Sequence, residues 1–173
     1  SGTGGVSKQM NRAAFFDRDG TININTGHLF EPEKLVFIDG TPQLIRRFNE
    51  AGYLVIVVTN QAGIAKGYYT EAQMHHLHDV MNHRLREEYA AHIDAFYFCP
   101  HHPDFTGPCH CRKPETGMLE QAIRDFDIDP AQSYLFGDKP HDIQCGTAMG
   151  IQSYEINWAL RHFVLRRTEA MNV

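Results

Sequence analysis

Two aspartates separated by one residue are the residues best placed to do chemistry in this chain. Asp17 ends a predicted strand that starts at Ala13, Asp19 follows it, and Gly20 lets the backbone turn away. Alternate residues of a strand share a face, so both carboxylates can point into one crevice. Because two such carboxylates repel each other unless a cation or a shared proton relieves them, the pair favours a hard metal ion. An ordinary Asp-Gly turn is the alternative.

Further polar side chains follow three later segments, and each group could contact a phosphate or a metal ion. A hydroxyl and two amides enter a glycine turn, two cations stand side by side, and two carboxylates lie four residues apart after a glycine. Each group alone is compatible with a helix cap or a surface turn. The residues are Thr59, Asn60 and Gln61, then Arg112 and Lys113, then Asp138, Lys139 and Asp142.

Short apolar runs alternate with amphipathic segments along the chain, which predicts the elements that position these groups. We predict strands at 13–17, 54–59, 95–98, 133–136 and 151–156, and helices at 41–52, 71–91, 117–126 and 142–149. Thr41 is the predicted N-cap of the first helix. This alternation indicates one α/β domain with a doubly wound parallel sheet, whose strand ends meet at one edge. The loops at 21–37 and 99–113 are long enough to be functional.

Three of the four cysteines lie close together, interleaved with histidines, in Cys99-Pro100-His101 and Cys109-His110-Cys111. Thiolates with one imidazole favour a closed, structural zinc site, so we predict Zn2+ on Cys99, His101, Cys109 and Cys111. His102 and His110 are alternatives to His101, and reduced, unliganded thiols are the alternative to metal. We expect the isolated Cys145 to be a small buried apolar residue.

Composition limits the classes of function that remain. The chain has 173 residues, 42% hydrophobic content and a formal net charge of −5, which argue for one globular domain and against a nucleic-acid-binding surface. No apolar run is long enough to span a bilayer, and no secretory signal is evident, so a cytoplasmic protein is expected. We expect a monomer because no exposed apolar stripe stands out in the sequence. We interpret residues 1–10 as a flexible lead, of natural or cloning origin, and residues 11–173 as the domain. The histidines at 75, 76, 78 and 83 are interpreted as a solvated helix face.

The four groups match, in order, the motifs of a known superfamily. Asp17-Arg18-Asp19-Gly20-Thr21, then Thr59, then Lys113, then Gly137-Asp138 with Asp142, resemble the motifs of the haloacid dehalogenase (HAD) superfamily of phosphohydrolases. This resemblance covers about residues 13–156. It implies a Rossmann-like fold without an inserted cap domain, a Mg2+ cofactor and a phosphoaspartate intermediate.

The resemblance also implies a role for each matched residue. Asp17 would be the nucleophile and Asp19 the general acid and base, while Thr59 and Lys113 would hold the phosphate oxygens. The implied metal ligands are Asp17, Asp19 through its backbone carbonyl, and Asp138. Asp142 would orient a metal-bound water, or serve only as an acidic residue at a helix N-terminus.

The cysteine loop, which runs into Cys-Arg-Lys-Pro, resembles the branch of heptose-bisphosphate and histidinol-phosphate phosphatases. The implied reaction is removal of the 7-phosphate of D-glycero-D-manno-heptose 1,7-bisphosphate, in carbohydrate metabolism and lipopolysaccharide biosynthesis. Histidinol phosphate is the alternative substrate, and a zinc-containing interaction module without catalysis is a third reading. The implied substrate-binding residues are Asn25, Thr26, Gly27, His28, Asn60, Gln61, Ala62, Arg112 and Lys139. Asn25 and Thr26 depart from the Asp-His expected there, and Ala62 replaces a serine.

Overall fold

The computed structural model describes residues 9–166, so most of the predicted lead, residues 1–8, lies outside the described residues. Five parallel strands form one sheet in the order β3-β2-β1-β4-β5. The strands are β1 (Ala13–Phe16), β2 (Leu54–Asn60), β3 (Ala95–Cys99), β4 (Tyr134–Gly137) and β5 (Gln152–Glu155). The α-helices are α1 (Thr41–Glu50), α2 (Glu71–Tyr89), α3 (Pro103–Thr106), α4 (Gly117–Phe126), α5 (Pro140–Ala148) and α6 (Ile156–His162). Short 3-10 helices span Pro32–Lys34 and Pro130–Gln132.

Alternating side chains of the central strand enter two separate cores, which confirms the doubly wound architecture. Ala14 and Phe16 pack with the apolar residues of α1, α2 and α6 on one face of the sheet. Ala13 and Phe15 pack with residues of α4 and α5 on the other face. Because both faces are covered, β1 and the interior of β2 are apolar without alternation, as parallel strands usually are.

The predicted strands and main helices are all present, and the differences lie at their ends. Thr41 is the first residue of α1 and not its N-cap, because Gly40, at φ 95°, takes that place. The Thr41 hydroxyl instead donates to the carbonyl of Thr21 at 2.8 Å and ties the first loop to the helix. The final helix α6 was missed: its N-cap is Glu155, whose carboxylate accepts from Trp158 N, where we predicted that the strand continued.

The sheet order places the ends of three strands around one crevice. β1 pairs with β2 on one side and β4 on the other, and the winding direction reverses between β1 and β4. Open α/β sheets bind ligands outside the carboxyl ends of their strands at such a reversal. Across the described range, 9–166, no helix has the length and apolar character needed to cross a membrane.

Candidate active site

Three carboxylates converge at the carboxyl ends of β1 and β4. Oxygens of Asp17, Asp138 and Asp142 all lie within 4.8 Å of one another. The Asp17 amide donates to Phe136 O at 3.0 Å, which ties the end of β1 to β4. Gly20 has φ 85°, and a Cβ added to it would lie 2.2 Å from Asp138 Oδ2. Glycine is therefore required there for both its backbone conformation and the close approach of the carboxylate.

Lys113 supplies a buried cation behind this cluster. Its Nζ lies 2.8 Å from Asp17 Oδ1 and 2.6 Å from Asp142 Oδ1, and it donates to the carbonyl of Val58 at 2.8 Å. The Asn60 side chain holds the lysine backbone, because its Oδ1 accepts from Lys113 N at 2.9 Å and its Nδ2 donates to Lys113 O at 3.3 Å. The lysine therefore reaches the site from a loop that the end of β2 fixes.

The electrostatics of this group follow from one cation shared between two buried acids. Burial alone would lower the pKa of Lys113, but Asp17 and Asp142 outweigh it and hold that pKa above its usual value. Burial raises the pKa of Asp17 to about 7; Lys113 opposes this shift, while Asp142 adds to it. The cluster retains excess negative charge whenever both carboxylates are ionised, and added positive charge would stabilise it.

Asp142 has the helix-terminal role that the sequence allowed and also forms an ion pair that the sequence did not predict. Its Oδ2 accepts from Lys139 N at 3.0 Å, so it caps the start of α5, and its Oδ1 pairs with Lys113. Gly137 makes this possible, since a Cβ there would lie 2.3 Å from the Asp142 Cβ. The helix therefore begins at Pro140 and carries a site carboxylate in its first turn.

The Asp19 carboxylate is held by donors from three directions. Arg18 donates to both of its oxygens at 3.0 to 3.2 Å, and Asn23 Nδ2 donates to Oδ1 at 3.0 Å. Gln61 Nε2 donates to Oδ2 at 3.2 Å and also to Thr59 Oγ1 at 2.9 Å. This network fixes Asp19 beside the carboxylate cluster and joins it to the end of β2.

An open cleft of about 260 Å³ lies over these groups, a volume close to the lower end of small-molecule sites. Eight of the nine predicted substrate-binding residues line it, and Thr26 does not. Thr59, Lys113 and Asp142 lie beneath it as buried side chains. The lining residues are Asp17, Asp19, Asn25, Gly27, His28, Asn60, Gln61, Ala62, Tyr69, Arg112, Asp138, Lys139 and His141.

Three cysteine sulfurs meet beside this cleft. Cys109 Sγ lies 3.6 Å from Cys99 Sγ and 3.7 Å from Cys111 Sγ, and all three form one candidate metal-binding group. The structure differs from the prediction in two respects. Cys99 ends β3 opposite Cys111, and these two residues are paired as a disulfide. The ring nitrogens of His101 do not join the three sulfurs, while its carbonyl accepts from Arg112 Nη1 at 3.4 Å.

Comparison with known proteins identifies the family. A model of HAD-hydrolase-like proteins matches residues 110–156. A D-glycero-beta-D-manno-heptose-1,7-bisphosphate 7-phosphatase of Haemophilus ducreyi is 42% identical over 146 residues, covering 82% of this chain and 80% of that protein. A D-glycero-alpha-D-manno-heptose-1,7-bisphosphate 7-phosphatase of Burkholderia mallei is 47% identical over 146 residues, covering 82% and 77%. The chain belongs to the HAD-like hydrolase family.

A solved structure of the same family supports the fold. The D,D-heptose 1,7-bisphosphate phosphatase of B. bronchiseptica, complexed with magnesium and phosphate, superposes with a TM-score of 0.75 at 32% identity. The alignment covers 82% of this chain and 78% of that protein. The HAD-like chain thus shares the arrangement of the sheet with a relative crystallised with both ligands.

The carboxylate cluster of this HAD-like chain fits a hard divalent cation. Asp138 Oδ1 is buried and finds no hydrogen-bond partner within residues 9–166. Buried polar atoms are normally paired, so an oxygen left free beside two further carboxylates is typical of a metal ligand. Asp142, predicted to orient a metal-bound water or to be an acidic residue at a helix N-terminus, belongs to the same group of carboxylates as Asp17 and Asp138.

Sequence reasoning missed four residues in or under the site of this HAD-like chain. Tyr69 and His141 line the cleft, and Arg18 and His78 are buried beneath Asp19. The interpretation of His78 as solvated is wrong, although His75, His76 and His83 are exposed. The signal was present: His78 falls on the buried stripe of α2, which also contains Met74, Leu77, Met81 and Leu85.

Proposed function

We propose that this protein is a phosphomonoester hydrolase that acts through a phosphoaspartate on Asp17. One observation carries the proposal: Asp17 lines the cleft, with a buried lysine behind it and two further carboxylates close by. A carboxylate with a nearby metal site can attack phosphorus without first losing a proton to a base. The relatives named as phosphatases, at 42% and 47% identity, support the same reaction class.

Asp17 and Asp19 divide the chemistry of the two half-reactions. An Asp17 oxygen attacks the phosphorus, the bond to the leaving oxygen breaks, and Asp19 gives its proton to that alkoxide. In the second half-reaction Asp19 takes a proton from water, the resulting hydroxide attacks the phosphorus, and the Asp17 carboxylate leaves. Asp19 is thus protonated again, and general acid–base steps of this kind contribute rate factors of about 10²–10⁴.

Mg2+ fits the carboxylate cluster, and Asp17, Asp138 and the Asp19 backbone would hold it with Asp142 nearby. When bound, it supplies positive charge to the phosphoryl oxygens as negative charge develops on them. Lys113 and Thr59 would hold the equatorial oxygens, where phosphoryl transfer gains much of its electrostatic stabilisation. Because Lys113 contacts Asp17 directly, its charge also favours the ionised form of the nucleophile against the effect of burial.

We assign the substrate as D-glycero-D-manno-heptose 1,7-bisphosphate, cleaved at the 7-phosphate. The assignment rests on the relatives and on the cleft, where Arg112, Lys139 and His28 surround the carboxylates with groups that can bind a phosphate or a sugar hydroxyl. Histidinol phosphate is the competing substrate, and it carries one phosphate only. A location in the cytoplasm and a monomeric state remain predictions from the sequence.

Steady-state kinetics with Mg2+ test this assignment. The substrates are both anomers of the heptose 1,7-bisphosphate, histidinol phosphate and p-nitrophenyl phosphate. We expect kcat/KM for at least one heptose anomer to exceed that for the other two substrates by more than about 10²-fold, since binding of the remote phosphate contributes to the rate. Equal kcat/KM values for all four compounds would refute the assignment of the substrate. No turnover of any of them would refute the proposed phosphatase activity.

We also propose that the three cysteines hold a structural Zn2+ when they are reduced. Tetrahedral zinc with Zn–S bonds of about 2.3 Å places its sulfurs roughly 3.8 Å apart. The distances from Cys109 to the other two sulfurs, 3.6 and 3.7 Å, suit that spacing. Elemental analysis of protein purified under reducing conditions should find about one zinc per chain, which Cys109→Ser should lower and Cys145→Ala should not. No zinc in the reduced wild-type protein would refute the site.

A further inference from the structure

A buried arginine lies between the two catalytic aspartates in sequence and beneath them in space. The Arg18 side chain has no exposed surface, and a buried guanidinium is costly unless acceptors surround it. It donates to both oxygens of Asp19 and to the carbonyl of Leu29 at 3.0 Å. Its remaining terminal nitrogen, Nη1, lies 3.2 Å from Nε2 of His78, sixty residues further along the chain.

The chemistry of this contact fixes the state of the histidine ring. Arginine has only donors, so His78 Nε2 must accept and cannot carry a proton. The proton of the neutral ring is therefore on Nδ1, which is buried and has no hydrogen-bond partner within the described residues. The ring lies flat on Phe96, with centroids 4.2 Å apart and planes 10° apart. Burial, together with the charge of Arg18, lowers the pKa of His78 to about 3, consistent with a neutral ring.

We propose that His78 is a positioning residue for hydrolysis: its Nε2 holds the Arg18 guanidinium, which in turn holds the Asp19 carboxylate over the reacting phosphate. The inference rests on the proposed function for the role of Asp19. Leu29 O and His78 Nε2 are the two acceptors that hold the Arg18 guanidinium in addition to Asp19. Without the ring acceptor, the guanidinium loses one of these contacts, and Arg18 fixes the orientation of Asp19 less firmly, although Asn23 and Gln61 still donate to that carboxylate. Small errors of orientation at an acid–base group are costly in rate.

Packing alone is the competing explanation, because a buried ring stacked on Phe96 also stabilises the fold. The two explanations differ in which step of the reaction they affect. A loss of packing lowers stability and slows all substrates alike, or slows none. A displaced Asp19 slows those steps that need a proton donor or a base.

Two substitutions at His78 and one matched control separate these explanations. His78→Phe keeps a flat ring against Phe96 but removes the acceptor, and His78→Gln supplies an acceptor oxygen without the ring. His76→Phe makes the same chemical change at an exposed position of the same helix. For each protein we would measure the melting temperature, and kcat and KM for the sugar phosphate. The rapid burst of p-nitrophenol from p-nitrophenyl phosphate would be measured as well.

We expect His78→Phe to lower kcat for the sugar phosphate by about 10-fold, a part of the factor that general acid–base catalysis supplies. KM should change by less than about two-fold, as expected for an interaction that matters in the transition state. The burst should keep its rate, because p-nitrophenolate leaves without a proton, while the steady state after it slows. His78→Gln should restore kcat to within about three-fold of wild type, and His76→Phe should leave every value unchanged.

Equal slowing of the burst and the steady state, unchanged kcat in a folded His78→Phe protein, or no recovery in His78→Gln would each overturn the proposal. A measurement on the wild-type protein covers the case in which the variants do not fold. Ring-nitrogen NMR should show His78 neutral, with its proton on Nδ1, and a proton on Nε2 would overturn the proposal. Because NMR needs no turnover, failure of the proposed function remains distinguishable from failure of this inference.

Discussion

The two candidate metal-binding groups of this molecule are built in different ways. The carboxylate cluster stands on the ends of β1 and β4 and on the first turn of α5, and the pairing of β1 with β4 fixes the distance between its members. The cysteine group has one residue at the end of β3, and the other two lie in a segment without regular structure. The first is positioned by the ends of two paired strands, and the second has only one of its members on the sheet.

This difference explains what surrounds each group. In the carboxylate cluster, the positive charge of Lys113 offsets part of the negative charge of two carboxylates, and Gly20 leaves room for the third, Asp138. The fold itself therefore prepares the site. In the cysteine group, the three sulfurs contact one another, and two of them are paired as a disulfide. We therefore expect changes at the carboxylates to affect the reaction and changes at the cysteines to affect stability.

The largest expected effect comes from the nucleophile. Asp17→Asn removes the attacking oxygen charge and should lower kcat by more than about 10⁴-fold, as loss of a nucleophile does in other enzymes. Zinc content and the far-UV circular dichroism spectrum should match wild type, because Asn60 holds the backbone of the cysteine loop at Lys113 independently of Asp17. Phosphate release measured at saturating substrate checks the first point. Turnover at more than a hundredth of the wild-type rate would contradict the assignment of Asp17.

A second expected effect tests how tightly the sheet edge is prepared. Gly20→Ala would place a methyl group against the Asp138 carboxylate at a backbone φ of 85°, so the carboxylate must move. We expect the Mg2+ concentration for half-maximal activity to rise by more than about 10-fold, the scale on which displaced metal-site groups act. Gly67→Ala is the matched control, since Gly67 has φ 75° but nothing lies near its added Cβ. An equal response of both variants would assign the effect to backbone strain alone.

The same contrast shows how far the sequence could predict the site. Asp17, Asp138 and Thr59 were predictable because each lies at or directly after the carboxyl end of a buried strand, and parallel strands end at one edge. Lys113 was identified by motif order, but its contacts with both Asp17 and Asp142 depend on the path of a loop. His101 could not be excluded from the cysteine group, because the spacing of residues in a loop does not fix the direction of a ring.

Misjudged residues in the rest of the fold have a common physical origin. His78 was assigned to solvent because no cysteine or acid joins the histidines of this helix at a consistent spacing, although its helical position places it on the buried stripe. Thr41 fits the N-cap pattern, but Gly40 can adopt the left-handed conformation and so takes the cap position. In both cases a local pattern was outweighed by a second feature of the same segment, the helical period at His78 and the left-handed glycine before Thr41.

A third prediction addresses the cysteine loop. Cys109→Ser removes the sulfur that contacts the other two, and we expect it to lower the free energy of unfolding by roughly 2 kcal/mol under reducing conditions with zinc present. The value of kcat should fall by less than about three-fold, because the Lys113 backbone is also held by Asn60. Urea denaturation and steady-state kinetics measure the two quantities. A large loss of kcat at unchanged stability would show that the loop acts in the chemistry.

The smallest expected effect concerns the polar layer beneath the carboxylate cluster. The pKa of His78 is lowered to about 3 in the folded protein by burial, by Arg18 and by His75, against 6.5 as its ordinary value. The unfolded chain therefore binds more protons below pH 6.5, so the folded state loses stability as the pH falls from 6.5 towards 3. Between pH 7 and 5.5 this residue should account for a loss of about 1 kcal/mol in the free energy of unfolding.

Urea denaturation at the two pH values should show a smaller loss in His78→Gln than in wild type. His76→Gln, which changes an exposed histidine of the same helix, should lose as much free energy of unfolding between the two pH values as wild type does. An equal change in the free energy of unfolding with pH in all three proteins would mean that the pKa of His78 does not differ between the folded and unfolded states.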